Sequence, residues 1–361
     1  MNDNDSITLK RDLPMDFLRV IACIFVINMH VISDGIYENW ADDKAILVVI
    51  DCVSGIAVPL FFMLSGAFSN SVKIARTLRK AIYLFVLFVI FKLFYNLTDC
   101  FWFEGRISWS SLYYSYHITD LTSYKYHLWY LPDFIVVTLM SPVLNSADRF
   151  NSKISEYLAI LFVLFGIIMP SSYPIKIWGD VKLNFLGALL EAIPFNLPMG
   201  IGYYCIGKTI YHGVKRGRIF KKHVAVFTAL AGILWIVTNV ITSVMTIDRS
   251  ELNGAFDYSL LGRTGLSLFV ASVLCFFMFS LFSPRSERVS KVMELIVPNT
   301  LYIYLIHPVF IDVLTNKFGI GPLSFNPLLA VPIKVCLVFG LSFIFSLPLT
   351  YITRFVGHKN R

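Results

Sequence analysis

The stretch PMDFLRVIACIFVINMHVISD, Pro14 to Asp34, decides how the chain is read. Its apolar run, 13–33, has about the 20 residues that an α-helix needs to cross a bilayer, yet it holds Arg19 and His30. The separation of eleven positions turns a helix through about 1100°, three turns plus about 20°, so both side chains lie on one face. Asp16, Cys23 and Asp34 fall within about 40° of the same stripe. An ionisable group at membrane depth costs at least about 2 kcal/mol, and a lipid-facing helix would not align several of them. The alternative reading has Arg19 snorkelling to the headgroups and His30 making one structural hydrogen bond.

Further apolar runs follow at 45–68, 79–97, 126–145, 155–170, 185–207, 223–246, 260–282, 297–316 and 328–352. Of the 361 residues 57% are hydrophobic and 15% charged, whereas soluble domains carry about 25% charged residues. These features predict an all-α polytopic membrane protein of about ten transmembrane helices. The expected layout is a single integral-membrane domain, 1–361, with a short N-terminal segment at 1–12 and a short tail at 353–361. The run 185–207 contains Glu191, Pro194 and Pro198, so a broken or re-entrant span is expected there. No small-residue cleavage site follows the first run, which reads as a retained helix rather than a signal peptide. The six cysteines form no C-x-x-C pair, which points to neither a disulfide framework nor a metal site.

The formal charge is +8. In a soluble domain that excess would suggest nucleic acid, but here the basic residues cluster in particular connections and read as topology. With the N-terminus inside and alternating spans, twenty Lys and Arg fall inside and seven outside. That bias predicts cytoplasmic N- and C-termini and an even number of spans. The basic segment 208–222 is expected to meet anionic membrane lipid, and no nucleic-acid partner is expected. The aromatic-rich outside segment 98–125 suits an element lying at the interface.

Polar residues in or beside the other runs give the remaining candidates. The second run ends in VPLFFMLSGAF, where Ser65 and Gly66 permit either close helix approach or a tight helix end. Beyond it, Arg76 and Arg79 are spaced i and i+3 and face the same way. Such a pair suits the phosphates of a large anion, because guanidinium forks grip phosphate oxygens two at a time; purely topogenic charge is the alternative. His127, in YHLWYLPDF, reads either as part of an interfacial aromatic belt or as a binding residue. In NTLYIYLIHPVF, Thr300, Tyr304 and His307 share a face, and Pro308 frees a backbone carbonyl one turn earlier. His307 therefore reads either as a ligand-facing group or as a structural histidine that satisfies the kink. The motifs for phosphoryl transfer, hydride transfer and zinc hydrolysis are absent from the sequence.

Taken in order, Arg19 and His30 as Arg-x10-His, FFMLSG at Phe61 to Gly66, Arg76 and Arg79 as Arg-x-x-Arg, HLWYLP at His127 to Pro132 and YLIHP at Tyr304 to Pro308 form a specific set. With that set the chain resembles the integral-membrane acyltransferase-3 family of bacterial surface-polysaccharide O-acetyltransferases. In shape it is similar to the stand-alone branch, which includes the enterobacterial common antigen O-acetyltransferase. The resemblance implies a membrane O-acyltransferase that moves an acetyl or other short acyl group from cytosolic acyl-CoA to a hydroxyl of a lipid-linked or polymeric carbohydrate. Acetyl-CoA would be a co-substrate, with no tightly bound cofactor.

On that reading His30 is the general base, or the acyl carrier, since imidazole ordinarily titrates at about pH 6.5. Arg19 and Asp16 would orient groups or balance charge. Arg76 and Arg79 would meet the CoA phosphates, His307 or His127 would bind the acceptor, and Ser65 and Tyr304 are further substrate-binding candidates. A secondary transporter or flippase for an envelope glycan is the rival reading, because buried charges and a broken span also suit a transport path. Against it, the two halves show no repeat.

Overall fold

The computed structural model describes residues 12–36, 44–99, 126–151, 153–168, 197–217, 222–257, 260–261, 265–282 and 286–359. Every regular element among them is helical: α1 (Leu13–Ile36), α2 (Ala45–Ser54), α3 (Ala57–Phe68), α4 (Ile74–Asp99), α5 (Tyr130–Phe150), α6 (Ile154–Phe162), α7 (Leu197–Arg216), α8 (Val224–Asn253), α9 (Leu266–Leu281), α10 (Glu287–Ile296), α11 (Thr300–Phe318) and α12 (Pro327–Lys359). A 3-10 turn, Tyr126–Trp129, leads into α5, a π-helical segment, Val163–Ile168, extends α6, and a second 3-10 turn, Val297–Asn299, joins α10 to α11.

Six stretches among the described residues are long and apolar enough to cross a membrane: Leu13–Ser33, Ala45–Phe68, His127–Phe150, Val224–Asn253, Glu287–Phe318 and Pro327–Thr353. The 26-residue α4 lies over the third run read from the sequence, and α9 covers most of the eighth. In the sixth run, Glu191 and Pro194 fall outside the described residues, as do the side chain of Asp34 and most of 98–125. Pro198 is the second residue of α7, in a first turn where a missing N–H costs nothing. Lys208, expected in a connection, lies within α7 and is buried, so the helical part of 208–222 runs to Arg216. On α8, Val226, Leu230, Ile233, Val237 and Val240 stay exposed, which is the face a lipid solvent asks for.

One compact unit comprises Met1–Leu60, Gly213–Ile241 and Ala271–Arg361. At its centre α1 packs on α2, α10, α11 and α12, and Leu18, Ala22, Cys23, Ile27 and Val31 expose nothing. Cys23 Sγ–H donates to the Thr300 carbonyl at 3.8 Å, and His30 Nδ1 lies 2.7 Å from His307 Nε2. Both pairs are 277 positions apart, so α1 and α11 run parallel and in register. By contrast α2 is antiparallel to α1: Asn28 Nδ2 donates to Ser54 Oγ at 3.0 Å, while Gly35 lies against Leu47. Helix α12 is antiparallel to α11. At one end Asn299 Oδ1 accepts from Ser346 and Thr350 at 3.2 and 2.6 Å, and at the other Lys334 Nζ donates to Thr315 Oγ1 at 2.7 Å. Gly319, at φ 64°, ends α11 in a left-handed cap. Asn326 Oδ1 accepts from the Leu328 N–H at 3.0 Å and starts α12 at Pro327.

The other unit comprises Phe61–His212 and Thr242–Val270. Within it α3 and α7 cross so closely that each glycine abuts the partner's backbone. A Cβ on Gly66 would sit 1.9 Å from Tyr204 O, and one on Gly207 2.2 Å from Met63 O. Of the two readings of Ser65–Gly66, close helix approach is the one the structure adopts. Beside this crossing lies a buried polar network. Asn145 Oδ1 accepts from Tyr204 Oη at 3.1 Å and from Lys208 Nζ at 2.6 Å. Its amide nitrogen donates to Ser69 Oγ at 3.1 Å and Ser71 O at 3.0 Å. Lys208 also pairs with Asp148, whose carboxylate takes the Ser155 N–H at 3.0 Å and its hydroxyl at 2.7 Å. The network thus ties α5 and α7 to the turn that leads into α4.

Two sets of variants check this packing by the thermal midpoint of the detergent-solubilised protein. Gly207→Val, which must push α3 and α7 apart, is expected to cost about 1–3 kcal/mol. Gly213→Ala, whose added Cβ meets nothing within 4 Å, is expected to stabilise by about 0.5–1 kcal/mol. Lys208→Met leaves Asp148 buried without its cation and is expected to lower the midpoint sharply. The double variant Lys208→Met/Asp148→Asn is expected to recover much of the loss, because the uncompensated charge is gone.

Candidate functional site

The stripe on α1 meets the polar face of α11 within one unit, and the two histidines come together there. His307 is fully buried and His30 half-buried. Their rings are nearly parallel, 4° between planes with centroids 5.0 Å apart, and His30 Nδ1 lies 2.7 Å from His307 Nε2. The other nitrogen of His307, Nδ1, lies 2.6 Å from the Tyr304 carbonyl. That carbonyl is four residues before Pro308, which has no N–H to offer it. His307 therefore fills the gap left by the proline and also reaches His30. The Tyr304 ring, also buried, has its centroid 6.1 Å from that of His307. An imidazole fixed in orientation by a second imidazole is suited to accept a proton or to act as a nucleophile.

Arg19 and Asp16 lie on the same unbroken α1, half-buried. At 1.5 Å per residue Arg19 is about 16 Å from His30 along the axis, so the structure lines these residues up but does not gather them around one atom. Cys23, between them, is turned to α11 through its bond to Thr300 O.

Arg76 and Arg79 belong to the other unit, on the first two turns of α4, and both are exposed. Thr77 between them is buried, as the helical period requires when one face is packed. The neighbouring Lys80 has its ammonium 5.2 Å from the centre of the Phe134 ring. The entry to α4 is fixed by Ser71 Oγ, which accepts from the Lys73 N–H at 3.2 Å, and by Arg149, which donates to Asn70 O at 3.2 Å. Two forked cations at the positive end of a helix form a surface that can take phosphate. Ser65 lies in the same unit, half-buried, beside the Gly66 crossing. His127 is in this unit too, on the 3-10 turn before α5, but it is buried and edge-on to Tyr95, 5.1 Å between centroids. It is therefore not a residue of an exposed aromatic belt.

Sequence reading missed the network of Asn145, Asp148, Tyr204 and Lys208. Its signal was present in the spacing: Asn145 and Asp148 at i, i+3 and Tyr204 and Lys208 at i, i+4 put two polar groups on one face of each helix.

The model of the acyltransferase-3 family, described as an acyltransferase domain, matches residues 13–347. No curated protein and no solved structure matches the chain. The match begins at the first residue of α1 and ends within α12, so it takes in the histidine pair, the arginine pair and the apolar helices that carry them. The chain therefore belongs to the acyltransferase-3 family, as a multi-pass membrane acyltransferase.

Proposed function

We propose that this protein transfers an acetyl or other short acyl group from cytosolic acyl-CoA to a hydroxyl of a lipid-linked or polymeric cell-surface glycan. It would do so within a ten-span topology with both termini in the cytoplasm of a bacterial cell. The observation that carries the reading is the half-buried His30, with its Nδ1 2.7 Å from Nε2 of the buried His307, in a chain of an acyltransferase family. The resemblance to stand-alone O-acetyltransferases, that of enterobacterial common antigen among them, supports the acceptor class.

In the reaction His30 acts as general base. It takes the proton of the acceptor hydroxyl as that oxygen attacks the thioester carbonyl, forming the new C–O bond. Collapse of the tetrahedral adduct breaks the C–S bond, and the CoA thiolate leaves with the proton returned by the imidazolium. The products are an acyl ester and free CoA. Arg76 and Arg79 hold the CoA phosphates, two exposed forks on one helix suiting a doubly charged group. Arg19 and Asp16 orient groups and balance charge further along α1.

The test uses membrane vesicles supplied with acetyl-CoA labelled in the acetyl group and with lipid-linked glycan acceptors. Wild type is expected to pass label into glycan and release CoA. His30→Ala is expected to lose at least about 100-fold of that rate, while Arg76→Ala/Arg79→Ala raises the KM for acetyl-CoA at least about tenfold. Undiminished transfer by a folded, abundant His30→Ala protein would overturn the role of His30. Absence of any wild-type CoA release would turn the reading toward glycan transport.

A further inference from the structure

We infer that His307 is a positioning residue that sets the tautomer of His30 and makes Nε2 of His30 its basic nitrogen. The inference rests on the proposed role of His30 and departs from the expectation that His307 binds the acceptor.

The argument starts at a backbone carbonyl, which only accepts. Tyr304 O is 2.6 Å from His307 Nδ1, so that nitrogen must carry a proton. In neutral imidazole the other nitrogen is then an acceptor. His307 Nε2 is 2.7 Å from His30 Nδ1, and two acceptors at that distance would repel, so His30 Nδ1 carries the proton and donates. The lone pair of His30 is thereby placed on Nε2. The chain of bonds has one direction, from carbonyl to His307 to His30, and its origin is the carbonyl that Pro308 leaves without a helical N–H.

A second proline in the structure shows why a histidine at 307 is informative. In α5 the residue before Pro142 is Ser141, and its hydroxyl donates at 2.7 Å to Thr138 O, the carbonyl four residues before that proline. A hydroxyl is thus enough to satisfy such a carbonyl. At 307 the side chain has in addition a second nitrogen, and that nitrogen faces His30. The register supports a fixed partnership: Cys23 meets Thr300 seven residues earlier on both helices, so His30 and His307 are held opposite each other by two contacts.

The experiment has a spectroscopic and a kinetic arm, both on the full chain in lipid bilayers. With 15N-labelled histidine, the seven histidines give separable nitrogen signals, and His30 is identified as the one lost in His30→Asn. The expected result is His30 with Nδ1 protonated and Nε2 bare in the wild type. His30 found with Nε2 protonated overturns the inference, whether or not the protein transfers acyl groups, and this arm needs no variant of His307 to fold. In the kinetic arm, His307→Leu is expected to lower kcat about 100-fold while leaving the KM for the glycan acceptor within about threefold. His307→Gln, whose side-chain oxygen can accept from His30 Nδ1–H, is expected to recover at least about tenfold of the loss. A raised acceptor KM with kcat unchanged would make His307 a binding residue and sink the inference. The proposed function would stand as long as His30 variants remained inactive.

Discussion

The contact between α1 and α11 is the constraint on which the site depends. A polar stripe on a helix buried on several sides is tolerable only if a neighbour presents matching groups, since each unmatched polar atom away from water costs about 1–3 kcal/mol. Helix α11 supplies them at the same seven-residue interval, with Thr300 O for Cys23 and His307 for His30. That match fixes the relative direction of the two helices and their register together. The antiparallel seating of α2 and α12 then follows from Asn28 with Ser54 and from Asn299 with Thr350. A shift of one residue would break every one of these polar contacts at once. The unit's core thus has a single register although its apolar side chains alone would allow several.

The proline at 308 is part of the same economy. Proline inside a helix ordinarily leaves a carbonyl unpaired and kinks the chain. Here the opened carbonyl becomes the fixed end of a hydrogen-bond chain that runs into the site. The kink and the histidine therefore form one device, which is why YLIHP reads as a unit. Neither residue has the same meaning without the other: a histidine before an ordinary helical residue would find its carbonyl already taken.

Much of this was legible in the sequence, and the rest was hidden for identifiable reasons. The Arg19–His30 stripe emerges from helical periodicity alone, because both residues sit on one uninterrupted apolar run. The face shared by Thr300, Tyr304 and His307 was visible for the same reason. That the two faces meet was not, because no local pattern states which of several apolar helices lies beside which. Lys208 was misplaced because a cation at the end of an apolar run reads as the start of a loop, whereas its partner Asp148 lies sixty residues earlier in the chain. His127 looked interfacial among Trp129 and Tyr130, but the packing of Tyr95 against it buries the ring. In each case what the sequence withheld was a pairing between distant helices, not the nature of an element.

The two buried polar clusters also show how a structural group differs from a site. Around Asn145 every bond closes: its oxygen accepts twice, its nitrogen donates twice, and Asp148 is filled by Ser155 and Lys208. The effect of such a network is to lock α5, α7 and the entry to α4 in place. The histidine chain is built the other way. It is anchored on a carbonyl that cannot give up its role, and it runs through His307 to the half-buried His30. Directionality is what proton transfer needs, since a base must be held with its lone pair on a defined nitrogen. That asymmetry, more than the rarity of histidine in apolar helices, is what separates His30 and His307 from the other polar residues buried in the chain.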